Sequence, residues 1–70
     1  MKYAVVLEKG PKSWGATIPD LPGCVAVADF EEEVLTLISE AIELHIANLK
    51  DEGADIPAPV SVASSVEVSA

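Results

Sequence analysis

Cysteine is nearly absent from this 70-residue chain, and the single thiol, Cys24, has no partner for an intramolecular disulfide. With the single histidine, His45, it also falls short of the four ligands of a structural zinc site. That usage points to a reducing, cytoplasmic setting. Basic residues are scarce too: four Lys+Arg stand against twelve Asp+Glu, a formal net charge of −8. Such a balance opposes docking on nucleic acid phosphates or anionic lipid and favours a basic protein partner, beside its ordinary role in keeping a surface solvated. Long apolar runs are missing as well. Ala4-Val5-Val6-Leu7 is stopped by Glu8 and Lys9, well short of a signal-peptide core or a membrane span.

What is present is a 50% hydrophobic composition, which places the chain with globular proteins as one domain over residues 1–70. A single core of this size barely offsets chain entropy, so further burial through a homodimer or higher homo-oligomer is expected. From Lys2 to Glu8 the residues are mostly β-branched or apolar and read as a first strand, apolar enough on both faces to suggest a central position. Lys9 to Ser13 is a turn punctuated by Gly10 and Pro11, and Trp14 to Ile18 is a second strand. Then comes Pro19-Asp20-Leu21-Pro22-Gly23-Cys24, in which two prolines and a glycine make a stiff corner before a third strand, Val25 to Ala28.

Asp29 is the expected helix N-cap, with Glu32 at capping-box spacing and Glu31, Glu32 and Glu33 in the first turn where the helix dipole favours negative charge. The helix should begin at about Phe30 and run to about Glu52, with Gly53 as its C′ residue and Pro57 and Pro59 preventing resumption. At ~100° per residue, Leu44, Leu37, Phe30, Ala41, Val34, Ile38, Leu49, Ile42, Leu35 and Ile46 fill an arc of roughly 200°, wider than one sheet face requires. One flank of it, Leu35, Ile42, Ile46 and Leu49, is the candidate self-association face. The opposite side of the helix is acidic, with Glu33, Glu40 and Glu43 as a candidate partner-facing stripe. After Gly53 a loop leads to a last strand, at Val66-Glu67-Val68 or alternatively at Val60 to Val62. A right-handed crossover would set it beside the first strand, in sheet order 3-2-1-4. The class is therefore α+β, a single β-β-β-α-β domain with a mainly antiparallel sheet and one long helix on one face.

In their order, these features resemble the HicB-type antitoxins of bacterial and archaeal toxin-antitoxin modules. The resemblance rests on the Tyr3-containing strand, the Trp14 to Ile18 strand, the hexapeptide Pro19 to Cys24, Asp29 with Glu32-Glu33, and Glu40-Ala41-Ile42-Glu43-Leu44-His45. It implies a stand-alone HicB-like domain of degenerate ribonuclease-H-like fold that binds and occludes a small, basic, RNA-cleaving HicA-type toxin. Family members usually carry Thr where Phe30 stands and Gly where Ala28 stands, which leaves capping to Asp29. Many also carry a separate DNA-binding domain, which is not expected here.

No enzymatic activity is expected, and no cofactor or metal. The carboxylates Asp20, Asp29, Glu31, Glu32 and Glu33 sit where a turn and a helix start already account for them. His45 falls in the apolar arc and reads as a packed or interface residue, and Cys24 lacks a basic neighbour and reads as a buried structural thiol. The second reading is an oligomeric binding or adaptor domain of the same fold without a toxin; an orphan hydrolase comes third.

Overall fold

Gly10 and Pro11 interrupt the first apolar run, and the chain reverses there: the Gly10 N–H donates to the Ser13 carbonyl at 2.8 Å. On either side, β1 (Val6–Lys9) and β2 (Trp14–Thr17) pair antiparallel, with Leu7 opposite Ala16 and Glu8 opposite Gly15. This computed structural model describes residues 1–69. β1 begins at Val6 rather than at Lys2, because β2 offers it only four positions before the proline corner. Tyr3 and Val5 instead pack side-on against the core as partly buried groups.

The corner consists of two consecutive tight turns. Leu21 donates its N–H to the Ile18 carbonyl at 3.0 Å, and Cys24 donates to the Leu21 carbonyl at 3.0 Å. Each turn carries a proline at its second position, where φ near −65° is needed. The second requires a positive φ at its third position, and Gly23 supplies it at +84°. A bond from Ile18 N–H to the Cys24 carbonyl closes the base, and Leu21, shared by both turns, is fully buried. The chain thus leaves β2 and enters β3 (Val25–Ala28) antiparallel to it, with Ala16 opposite Ala26 and Gly15 opposite Val27.

The sheet order is β1-β2-β3, so β2 is central and β1 is an edge, contrary to the central position expected for it. The apolar residues on both sides of β1 have another cause: Leu7 packs on the core, while Val6 stays 43% exposed on the far face. The α+β class, the antiparallel sheet and the single long helix stand. The closing strand does not: among the described residues neither Val60–Val62 nor Val66–Val68 pairs with the sheet.

Helix α1 (Glu31–Asp51) starts one residue later than Asp29 capping would require. Phe30 is the N-cap, held extended at φ −126° and ψ 151°, and it has no side chain able to cap. The Asp29 contribution is its backbone: its N–H donates to Glu33 Oε1 at 3.2 Å, so the carboxylate reaches back over the first turn from the third helical position. At the other end Gly53 turns left-handed, at φ +69°, and its N–H bonds the Lys50 carbonyl while Ala54 N–H bonds that of Leu49. This paired closure satisfies carbonyls that the last turn leaves without helical partners.

Alanines line the sheet under the helix. Ala16, Ala28 and half-buried Ala26 let α1 approach β2 and β3 closely, and Val34 and Ile38 fill the contact. With Ile18, Leu21 and Cys24 they complete a core without charged or polar members among the described residues. At ~1.5 Å per residue the 21-residue helix is roughly 32 Å long, and the molecule measures 48 × 27 × 16 Å.

Candidate binding surfaces

The helix seat decides which of its flanks remains free. Ile42 packs against the core, and Ile46 and Leu49 are half-buried, which leaves Leu35 as the exposed member of the proposed self-association face. That flank is already partly spent within one chain. The other flank is the more open one: Phe30, Leu37 and Leu44 are 70%, 40% and 64% exposed. Leu37 and Leu44, seven residues apart, lie on one line of the helix, drifting only ~20°, and the N-cap Phe30 stands exposed at the helix entry seven residues before Leu37.

Glu33 and Glu40 run beside that line, three residues beyond Phe30 and Leu37 in turn, and both are exposed. Glu43 is exposed too, but lies about 60° further round the helix from Glu40 and belongs to its back. The acidic stripe is therefore a pair next to an apolar ridge, with Glu43 apart. The ridge had a sequence signal, the repeat of a large apolar residue at positions 30, 37 and 44, but a wide apolar arc does not say which flank the sheet covers.

The sheet face away from the helix forms a second surface. Register sets Val6, Thr17 and Val25 in one row and Glu8, Gly15 and Val27 in the next. Val6, Val25 and Val27 are 43%, 59% and 66% exposed. Gly15 leaves a shallow depression of about 160 Å³ between them, in which the nearest atom to a hypothetical Cβ would be the Glu8 carbonyl oxygen at 4.0 Å.

A third arrangement ties the corner to the segment after the helix. Asp20 accepts the Ser61 N–H on Oδ2 at 3.0 Å and the Ser61 hydroxyl on Oδ1 at 2.9 Å, across 41 residues of sequence. Tyr3 adds a second tether, its hydroxyl donating to the Pro57 carbonyl at 2.6 Å. Beyond Ser61 the chain is exposed through residue 69, with Val62, Val66 and Val68 at 87%, 83% and 75%. Sequence reasoning treated Pro19 to Cys24 as a connector only, and nothing in local spacing pairs Asp20 with Ser61.

Chemistry-bearing groups stay apart. His45 is half-buried on the core-facing side of α1, and burial pushes the Cys24 thiol up from its usual range. Among the described residues no three His, Cys, Asp or Glu side chains gather as a metal site would need. Nor is any helix among them long and apolar enough to cross a membrane. The surfaces on offer are apolar and acidic, suited to contact with another protein.

Comparison with known proteins gives the same direction. A UPF0150 protein of Helicobacter pylori is 38% identical over 69 residues, covering 97% of this chain and 96% of the relative. A UPF0150 protein of Archaeoglobus fulgidus is 38% identical over 47 residues, 66% of this chain and 68% of its own. An uncharacterized 14.9 kDa protein from the rep-hol intergenic region of Haemophilus phage HP1 is 30% identical over 57 residues. The match takes in 81% of this chain but 43% of that phage protein, so the chain spans less than half of its length. No solved structure gives a significant match. The family model of the HicB-like antitoxin of bacterial toxin-antitoxin systems matches residues 3–69, and the chain belongs to that family.

Proposed function

We propose that this chain is a non-enzymatic, cytoplasmic antitoxin that binds and occludes a small, basic, RNA-cleaving HicA-type toxin. The observation that carries the reading is the exposed ridge Phe30, Leu37 and Leu44 with Glu33 and Glu40 beside it, on a chain of net charge −8 in an antitoxin family. A protein built to attract RNA phosphates is basic where RNA binds. Glutamates steer such a surface inward and set its register, while the three large apolar side chains supply the area that excludes water. Occlusion requires nothing more than covering the RNA-cleaving site. Glu43, on the back of the helix, adds to the long-range field rather than to the contact.

The test is co-purification of this protein with the product of a small basic reading frame adjacent to its own, followed by an RNA-cleavage assay of that product. Association and loss of cleavage are expected, and Glu33→Lys with Glu40→Lys should weaken both. Failure to associate at micromolar concentration sinks the reading. The exposed valines of residues 60–68 and of β3 favour a further element of the proposal: the working unit is a homo-oligomer.

A further inference from the structure

Residues 60–68 carry the alternation of a half-buried strand without a sheet to lie in. Val60, Val62, Val66 and Val68 all fall on even positions, and the odd positions hold Ser61, Ala63, Ser65 and Glu67. Every one of those four valines is at least 75% exposed. The sheet, for its part, ends on β3, whose outer edge pairs with no other strand among the described residues. Val25 and Val27 point from that edge strand onto the uncovered face.

We propose that this arm is an exchanged strand: in a dimer, residues 62–68 of each copy add to the free edge of β3 in the other. The arm's valines then extend the row formed by Val25 and Val27 on the open sheet face. This deepens the homo-oligomer element of the function proposed above and does not depend on a toxin.

Three observations select a second copy as the occupant. Charge is the first. Two chains of −8 repel wherever acidic surfaces meet, and pairing through the Phe30–Leu44 ridge would oppose the glutamates beside it. β3 (Val-Ala-Val-Ala) has no charge, and the arm from residue 60 to 68 has one, Glu67, on the face opposite its valines. Beyond Glu8, two strands away in the row of Val27, this face offers a basic partner no carboxylate, and the edge where β3 and the arm would meet lets two acidic copies approach.

Area is the second. Val25, Val27, Val62, Val66 and Val68 are exposed in each copy. At roughly 60–120 Å² per valine side chain, a reciprocal exchange brings roughly 600–1,200 Å² of apolar side-chain surface to the seam, and with the paired backbone edges this approaches the size of a specific interface. Reach is the third. The Asp20 clasp fixes the arm's origin at Ser61, and seven residues beyond it extend roughly 23 Å, against about 13 Å for four-residue β3. The remainder spans the gap between copies.

The experiment is sedimentation equilibrium on the full chain and on two variants, Val66→Asp/Val68→Asp in the arm and Val27→Asp on the receiving strand. The unaltered chain should be a dimer, and each variant should raise its dissociation constant about 30-fold or more. Because none of these side chains is in the core, the helical signal in far-UV circular dichroism should not change, and Leu44→Asp should leave the dimer intact. A mixed sample of ¹³C-labelled and unlabelled copies should give contacts between arm and β3 valine methyls across the two copies. A monomeric chain, a dimer that survives the arm variant, or arm contacts confined within one copy would overturn the proposal. None of these outcomes bears on toxin binding, which is read separately through Glu33 and Glu40.

Discussion

Asp20 and Ser61 are joined at both ends of the carboxylate, one oxygen taking the serine N–H at 3.0 Å and the other its hydroxyl at 2.9 Å. Hydrogen bonds to an ionised acceptor are worth about 1.5–3 kcal/mol when shielded from water, and this pair is part-buried. Asp20→Ala is therefore expected to lower stability by about 1–2 kcal/mol and to release the arm at its origin. Amide hydrogen exchange at Ser61 measures the second effect directly. Unchanged exchange there in the variant would show that the clasp does not hold in solution.

Leu21 joins the two turns of the corner and is fully buried. Truncation to Ala should cost about 2–5 kcal/mol, a large share of the ~5–15 kcal/mol typical of a folded domain. Urea denaturation at a fixed pH should register this as a lower midpoint with the slope unchanged. A loss under ~1 kcal/mol would contradict the full burial of Leu21.

Gly23 makes a different prediction, because its cost is conformational and not steric. No atom lies within 4 Å of a Cβ placed there, yet its φ is +84°. Gly23→Ala should destabilise by about 1–2 kcal/mol, and Gly23→Asn by less, since Asn tolerates left-handed backbone better. Equal losses for the two variants would mean that contact, not φ, dictates the glycine.

Burial raises the Cys24 pKa above that of a free thiol, so the folded chain holds its proton more tightly than the unfolded one. The stabilising contribution is then fully present below the unfolded thiol pKa of about 8.5 and is lost as pH rises through the folded one. Urea midpoints should fall between about pH 7 and pH 10 by more in the unaltered chain than in Cys24→Ala. Thiol labelling should be slow in buffer and fast in urea; rapid labelling of the folded chain would place Cys24 outside the core.

Much of this architecture was legible because it is local. Gly10-Pro11 and the Pro19 to Cys24 hexapeptide punctuate the chain, and strand alternation and helical periodicity supply the rest, with Gly53 ending α1 where expected. The helix start slipped by one residue, since Phe30 breaks the pattern that would have made Asp29 the cap. The closing strand failed for a related reason: Val60 to Val68 has strand periodicity, and periodicity does not say which sheet a strand joins. Surfaces were less legible still. The arc of α1 is wider than its seat, and only the packing of Val34, Ile38 and Ile42 reveals that Leu37 and Leu44 stay outside.

The alanine-lined core has a consequence for lifetime. Among the described residues its buried members are seven, three of them Ala or Cys, so the gap between folded and unfolded chain is narrow. Proteases act on the open form, and its population tracks that gap. Any partner that binds only the folded chain widens it, by about 2.7 kcal/mol at a hundred times its dissociation constant. Copies held in a complex therefore outlast free ones, and the rate of turnover reports how much of the protein is engaged.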